Sequence, residues 1–139
     1  MKSKMESLIK KVVGMLAIVG LCVLAYWFWP GEEPNLPKAS EVREIRLVQG
    51  QVVVTIDQSE EIAVFLAELG NAKKTNQDSV HDAPLISPHV RITFVLAEGE
   101  TTAFAYEGIL RSYLEFPYTG IYKLKELPQV IQKMLADQV

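Results

Sequence analysis

Between Val12 and Trp29 the chain reads VVGMLAIVGLCVLAYWFW, a run with no charge and no strongly polar group. As a helix rising about 1.5 Å per residue it would be roughly 27 Å long. That length is close to the hydrocarbon thickness of a bilayer. The competing reading of an apolar run in this place is a cleaved secretory signal. The run closes on Tyr26, Trp27, Phe28 and Trp29, unlike the small-residue site at which signals are cut. Cys22 follows Leu21 rather than the small residue that a lipoprotein signal needs. The pattern predicts an uncleaved transmembrane helix over 12–29, with the lipid bilayer as its partner. Lys2, Lys4, Lys10 and Lys11 precede it with one acid, Glu6, while Glu32 and Glu33 follow. Basic flanks stay cytoplasmic, so residues 1–11 are expected inside the cell and the rest outside. The four aromatics fit the outer interface.

The period changes after that run. PGEEPNLPKA, residues 30–39, holds three prolines and a glycine and predicts a stiff, extended spacer over 30–40. From residue 41 to 139 the pattern is that of one domain. Val42, Ile45 and Leu47 lead to a Gln49-Gly50 turn, and Gln51–Ile56 is rich in Val, Ile and Thr, which predicts a β-hairpin. Ile62, Phe65, Leu66 and Leu69 then recur at helical spacing. Asp57 and Glu60 have capping-box spacing, and Gly70 is a stop signal. Asn71–Pro88 is a long polar loop, unusual as a bare connection. Strict alternation returns over His89–Leu96 and Thr101–Tyr106, around a turn at Glu98-Gly99-Glu100. Arg111–Phe116 and Ile121–Leu124 add extended segments. Leu127, Val130, Ile131, Met134 and Leu135 close the chain as an amphipathic helix with Pro128 in its first turn. The expected fold class is α+β: a single transmembrane helix, then a small antiparallel sheet with two packed helices.

Composition narrows the function classes. The chain carries a net charge of −3, but the basic excess lies before the apolar run. From Pro30 onward ten Lys or Arg face sixteen Asp or Glu. No basic stripe supports nucleic-acid binding, and an acidic domain is expected to be repelled by an anionic surface. The one cysteine, Cys22, sits in the apolar run, so the outer domain has no disulfides to staple it. Its length suffices for one modest core.

Candidate chemistry is sparse. His81 and His89, near Asp78 and Asp82, lack the spacing of a metal site, and no metal or other cofactor is expected. Ser79, His81 and Asp82 have the residue types of a hydrolase triad, but a triad is a geometry rather than a local cluster. Ser and Asp here also read as turn formers. Glu115 lies in an extended segment between Leu114 and Phe116. It is the one carboxylate placed for general acid work in an apolar setting, against pairing with Arg91 or Arg111 across the sheet.

EFPYTGIY, residues 115–122, is the most distinctive stretch. Pro117 ends or edges a strand, and Gly120 is expected to take a positive φ, with Thr119 before it, in a type II turn. Tyr118 and Tyr122 flank the bend. Two readings stand: a binding lip, since tyrosine offers large contact area at low entropic cost, or a turn whose rings cap the core. TIDQSEEIAVFLAEL, SVHDAP, RITFVLAEGETTAFAY and YLEFPYTGIYKL, spanning Glu41 to the end of the chain, resemble an uncharacterised family of small membrane-tethered envelope proteins of Gram-positive bacteria. PYTGIY carries most of the resemblance. Where the family commonly has Gln before PY, this chain has Phe116. The resemblance implies tethering by a lipid or an N-terminal helix, and a place beside membrane-sensor peptidases of the antibiotic-response type. It implies no activity.

Together these readings predict a membrane-anchored extracytoplasmic binding or regulatory module rather than an enzyme. Glu115, Tyr118, Tyr122, His81 and Asp82 are the candidate contacts to an envelope protein or a cell-wall component. The alternatives are a structural accessory of a membrane complex, docked through its helix, and an envelope hydrolase built on Glu115 or on Ser79, His81 and Asp82.

Overall fold

Continuous hydrophobicity with nothing to interrupt the backbone ladder gives one long helix, α1 (Lys2–Phe28). The structure, a computed structural model, describes residues 2–28 and 31–137. It falls into two units, one ending at Pro30 and the other beginning at Gly31. α1 begins ten residues before the apolar run because Lys2–Lys11 contains no helix breaker. Lys2–Ala25 contains an 18-residue window with a mean hydropathy of 2.2 and is long and apolar enough to cross a membrane. A signal sequence meets the same test. The side chains of Tyr26, Trp27 and Phe28, and all of Trp29 and Pro30, lie outside the described residues, so the expected aromatic interface does too.

The second unit is an antiparallel sheet with two helices on one face. Its strands are β1 (Val42–Gln49), β2 (Val52–Ile56), β3 (Lys73–Lys74), β4 (Val90–Leu96), β5 (Gly99–Glu107), β6 (Ser112–Phe116) and β7 (Gly120–Leu124). Their order is β2-β1-β4-β5-β6-β7-β3. β4 to β7 form a meander, and β1 joins β4 through α2 (Ser59–Leu69) and the long loop. α3 (Gln129–Ala136) follows β7.

Side-chain parity decides what each face carries. Ile45, Leu47, Val90, Ile92, Phe94, Leu114, Tyr122 and Leu124 point to the helices. They form one core with Ile62, Phe65 and Leu69 of α2 and Ile131, Met134 and Leu135 of α3. The other face carries a row in which Arg91 opposes Phe104, Phe104 opposes Glu115, and Glu115 opposes Ile121. Phe104 and Tyr106 are buried there, outside the main core.

Local differences from the expected pattern have simple causes. α2 starts from Gln58 with no side-chain cap bond, so Asp57 and Glu60 do not form the capping box. Gly70 does end the helix, and its N–H donates to the Leu66 carbonyl. The long loop holds a short strand, β3, which pairs with β7 and closes that edge. The segment expected to be a free spacer packs instead. Pro34 is buried, Leu36 lies against the core, and the Lys74 N–H donates to the Glu32 carbonyl at 2.8 Å. The Lys73 ammonium meets the Glu33 carboxylate at 2.9 Å. Proline-rich composition signals extension, but an extended chain can still lie along a sheet edge when an apolar residue finds the core.

Leu36→Ala tests this packing. Truncating a partly buried leucine should lower domain stability by about 1–2 kcal/mol in urea unfolding. A free spacer would leave the midpoint unchanged.

Candidate functional site

The second sheet face would be an open patch if the long loop did not cross it. Thr75 fastens the loop's first end: its N–H and its hydroxyl both donate to the Ile121 carbonyl, at 2.9 and 2.7 Å. The Ile121 N–H donates back to the Gln77 carbonyl at 3.4 Å. At the far end His89 meets the edge of the Phe104 ring, with centroids 5.5 Å apart, and its Nδ1 lies 2.9 Å from the Ile86 carbonyl. Between these ends Ser79 and Pro84 are buried.

The centre of the contact is a carboxylate. Glu115 is 5 % exposed. Its Oε2 accepts from the Ser79 hydroxyl at 3.0 Å, and its Oε1 accepts from the Tyr106 hydroxyl at 3.1 Å. Ser79 Oγ in turn accepts from the Tyr118 N–H at 3.3 Å, so its hydroxyl both gives and receives. The expected pairing of Glu115 with Arg91 or Arg111 does not occur: among the described residues Glu115 makes no ion pair. The Arg91 guanidinium lies over the Phe104 ring, 6.0 Å from its centroid, because Phe104 stands between the two in the row. Burial pushes the Tyr106 hydroxyl's pKa well above its ordinary range, and the Glu115 charge and hydrogen bond push it further. Tyr106 stacks on Tyr113 at 5.6 Å.

The turn sits on this base. The Thr119 N–H donates to the Phe116 carbonyl at 3.0 Å, so Pro117 and Tyr118 are the central residues. Tyr118 has φ 60°, a left-handed conformation that bulky residues rarely adopt. The expectation that Gly120 supplies the positive φ is therefore corrected: Gly120 is already the first residue of β7, paired with Phe116. With proline first and a positive φ second, the turn has the type II pattern. Residues in this region hold only where surrounding contacts over-determine them. Here Ser79 takes the Tyr118 N–H, and Asp82 accepts from the Tyr118 hydroxyl at 2.7 Å. That bond raises the Tyr118 pKa. The ring remains 66 % exposed.

The five candidate residues thus separate. Glu115, Tyr118 and Asp82 belong to one connected site. His81 is exposed on the same loop. Tyr122 does not belong: it is 5 % exposed on the helix side, edge-on to Phe116 at 5.5 Å. The turn thus separates the two rings, Tyr122 packed on the sheet and Tyr118 facing water. Tyr106 was missed, though alternation had placed it on the face of Phe104. Ser79 is buried and bonded to Glu115 rather than presented beside a histidine, which is not the geometry of an activated nucleophile. Among the described residues no cluster of three or more His, Cys, Asp or Glu is placed to hold a metal. An open groove of about 570 Å³ lies elsewhere, between β2, α2 and the start of α3, lined by Val64, Phe65 and Pro128 with Glu60 and Glu61 at its side.

A family model described as a domain of unknown function (DUF5300) matches residues 30–123, which include every residue of this site. A solved structure titled "NMR structure of the protein from Ruminococcus gnavus" is similar at 32 % identity and a TM-score of 0.63. The match covers 72 % of this chain and 99 % of that one. No curated protein matches the chain.

Ser79→Ala removes a partner from both Glu115 and the Tyr118 N–H. It should destabilise the domain by about 1–3 kcal/mol in urea unfolding. The raised Tyr106 pKa adds stability that is fully present below the ordinary tyrosine value of about 10 and is lost as pH rises above it. Unfolding midpoints should fall above about pH 10, and Tyr106→Phe should flatten that fall.

Proposed function

We propose, since the chain belongs to that family, which the match to residues 30–123 and the Ruminococcus gnavus likeness establish, that it is a membrane-anchored binding module. α1 is read as the anchor, with the N-terminus cytoplasmic and the domain displayed outside, at the cell envelope. The Tyr118 turn and the loop beside it form the recognition lip for an envelope protein or a cell-wall component.

One observation carries this reading. A tyrosine is held at φ 60° by two hydrogen bonds from the long loop, yet most of its ring faces water. A glycine would satisfy the backbone there without strain. Holding an aromatic ring at a strained tip favours presentation over folding. Asp82 and the exposed His81 supply polar contacts beside the ring, and Glu115 acts from beneath by fixing the loop rather than by touching a ligand. No catalytic role is assigned in this reading. A structural accessory role is the second reading. It is favoured by α1, an apolar helix long enough to cross a membrane that forms a unit of its own.

In-cell photo-crosslinking from position 118, with exposed position 133 of α3 as control, tests the lip. A product specific to 118 is expected. Tyr118→Gly should remove that partner's binding while keeping or raising thermal stability, since relief of left-handed strain is worth about 1–2 kcal/mol. A folded, displayed domain with no product from 118 refutes the lip. Loss of function on replacing α1 by an unrelated transmembrane helix would favour the accessory reading.

A further inference from the structure

The opposite end of the meander breaks the usual chemistry of a tight turn. The Gly108 N–H donates to the Arg111 carbonyl at 2.8 Å, which places Ile109 and Leu110 at the tip of the four-residue connection between β5 and β6. Exposed turn tips are mostly built from Gly, Pro, Asn, Asp and Ser. Here two large aliphatic side chains occupy them, 102 % and 91 % exposed. Neither contributes to the core.

The charge around them is as uneven. Leu110 lines a groove of about 430 Å³ together with Lys73, Arg111, Lys123 and Lys125, and no carboxylate lines it. Register explains the gathering: Lys73 of β3 lies opposite Lys123 of β7, and β7 ends beside the start of β6. Four of the ten cations that follow residue 30 therefore stand around one groove, in a domain with a net negative charge. Acids nearby include Glu33, which pairs with Lys73, Glu68 and Glu126, which line an adjoining pocket with Lys125, and Glu107, which precedes the turn.

We infer that this end is a docking surface for an anionic lipid bilayer: Ile109 and Leu110 enter the interface while Lys73, Arg111, Lys123 and Lys125 hold lipid phosphates. Apolar side chains ringed by Lys and Arg are the composition that binds anionic membrane surfaces. The occupant is a bilayer rather than another protein for two reasons on the chain itself. An apolar helix long enough to cross a membrane precedes the domain, and only Trp29 and Pro30 separate its last residue from Gly31. Gly31 abuts the backbone of Lys74, next to Lys73. The inference rests on the reading of α1 as a membrane anchor. It also replaces the expectation that an acidic domain is simply repelled, because net charge does not describe a surface whose cations are gathered at one end.

The test uses the full chain with Cys22→Ser, reconstituted in vesicles. A nitroxide is placed at position 110 through Leu110→Cys, or at position 53 through Val53→Cys on the far edge strand. In vesicles of equal parts phosphatidylglycerol and phosphatidylcholine, the label at 110 should be reached by oxygen and shielded from a water-soluble nickel complex, and the label at 53 should not. The combined variant Lys73→Gln, Arg111→Gln, Lys123→Gln, Lys125→Gln should reduce the shielding at 110 at least tenfold, as should phosphatidylcholine alone. A cation near an anionic surface contributes about fivefold each, and the Glu33 pair reduces the total. A retained chain whose label at 110 stays wet in anionic vesicles overturns the inference. So does equal shielding in phosphatidylcholine, or a wet label whose environment changes only on adding a soluble glycerol-phosphate polymer. A chain that alkaline carbonate strips from the vesicles overturns the anchor reading and this inference together.

Discussion

A buried carboxylate without a cation organises the side of this domain that faces away from its helices. Burying a charge is unfavourable unless its lone pairs are satisfied, and Glu115 meets that condition through two hydroxyls that arrive from different places. Tyr106 comes from the neighbouring strand and Ser79 from a loop thirty-six positions earlier. The tyrosine bond could form in the sheet alone. The serine bond cannot, so covering Glu115 and placing the loop are one event. A salt bridge would have served the charge as well, but it would not have chosen a loop conformation. Two neutral donors of short reach do, because each must lie within hydrogen-bond distance of its own oxygen.

That constraint passes outward to Tyr118. Once Ser79 is held by Glu115, its oxygen stands where it can take the Tyr118 N–H, and the next turn of the loop brings Asp82 to the phenol. The left-handed tyrosine is therefore supported by the loop rather than by its own hairpin. The order of dependence runs from buried charge, to loop, to strained tip, to exposed ring. Only the last member is largely exposed. Removing a member near the start disturbs all that follow, while changing the ring leaves the base intact. This asymmetry is what separates a residue that positions from a residue that touches.

The sequence shows the α+β fold clearly because periodicity reports burial directly. The strands β4 and β5 and the helical spacing in α2 and α3 survive in the structure, though β5 is buried on both faces, with Ala103 and Ala105 in the main core and Phe104 and Tyr106 outside it. It shows the site only in part. Glu115, Tyr118 and Asp82 were legible as unusual residues in unusual places, but their connection was not, since hydrogen bonds between residues thirty-six or thirty-nine positions apart leave no local pattern. Tyr122 stands among the candidate contacts because a strand's two-residue period does not continue through a turn, so which of the two tyrosines packs on the sheet cannot be counted. Gly120 misleads because glycine permits a positive φ without requiring one, whereas the Pro117 turn puts the requirement on the residue that follows it. The proline-rich segment before β1 misleads because composition reports stiffness, and stiffness is compatible with packing when Leu36 has a core edge to reach.

The two ends of the meander then differ in a way that neither composition nor net charge describes. At one end a turn carries Tyr118 over a base fixed by hydrogen bonds. At the other a turn carries Ile109 and Leu110 over a groove of cations. Hairpin turns are where a sheet can place side chains beyond its own core without disturbing the ladder, so antiparallel order places the two kinds of chemistry at opposite strand ends by construction. A surface that engages lipid at one end leaves the other directed away from it. The strain at Tyr118 and the aliphatic pair at 109–110 are each unfavourable for folding alone, and in the proposed roles each is turned toward something outside the domain. Their separation across the length of β6, from Ser112 to Phe116, makes it possible for both to be engaged at once.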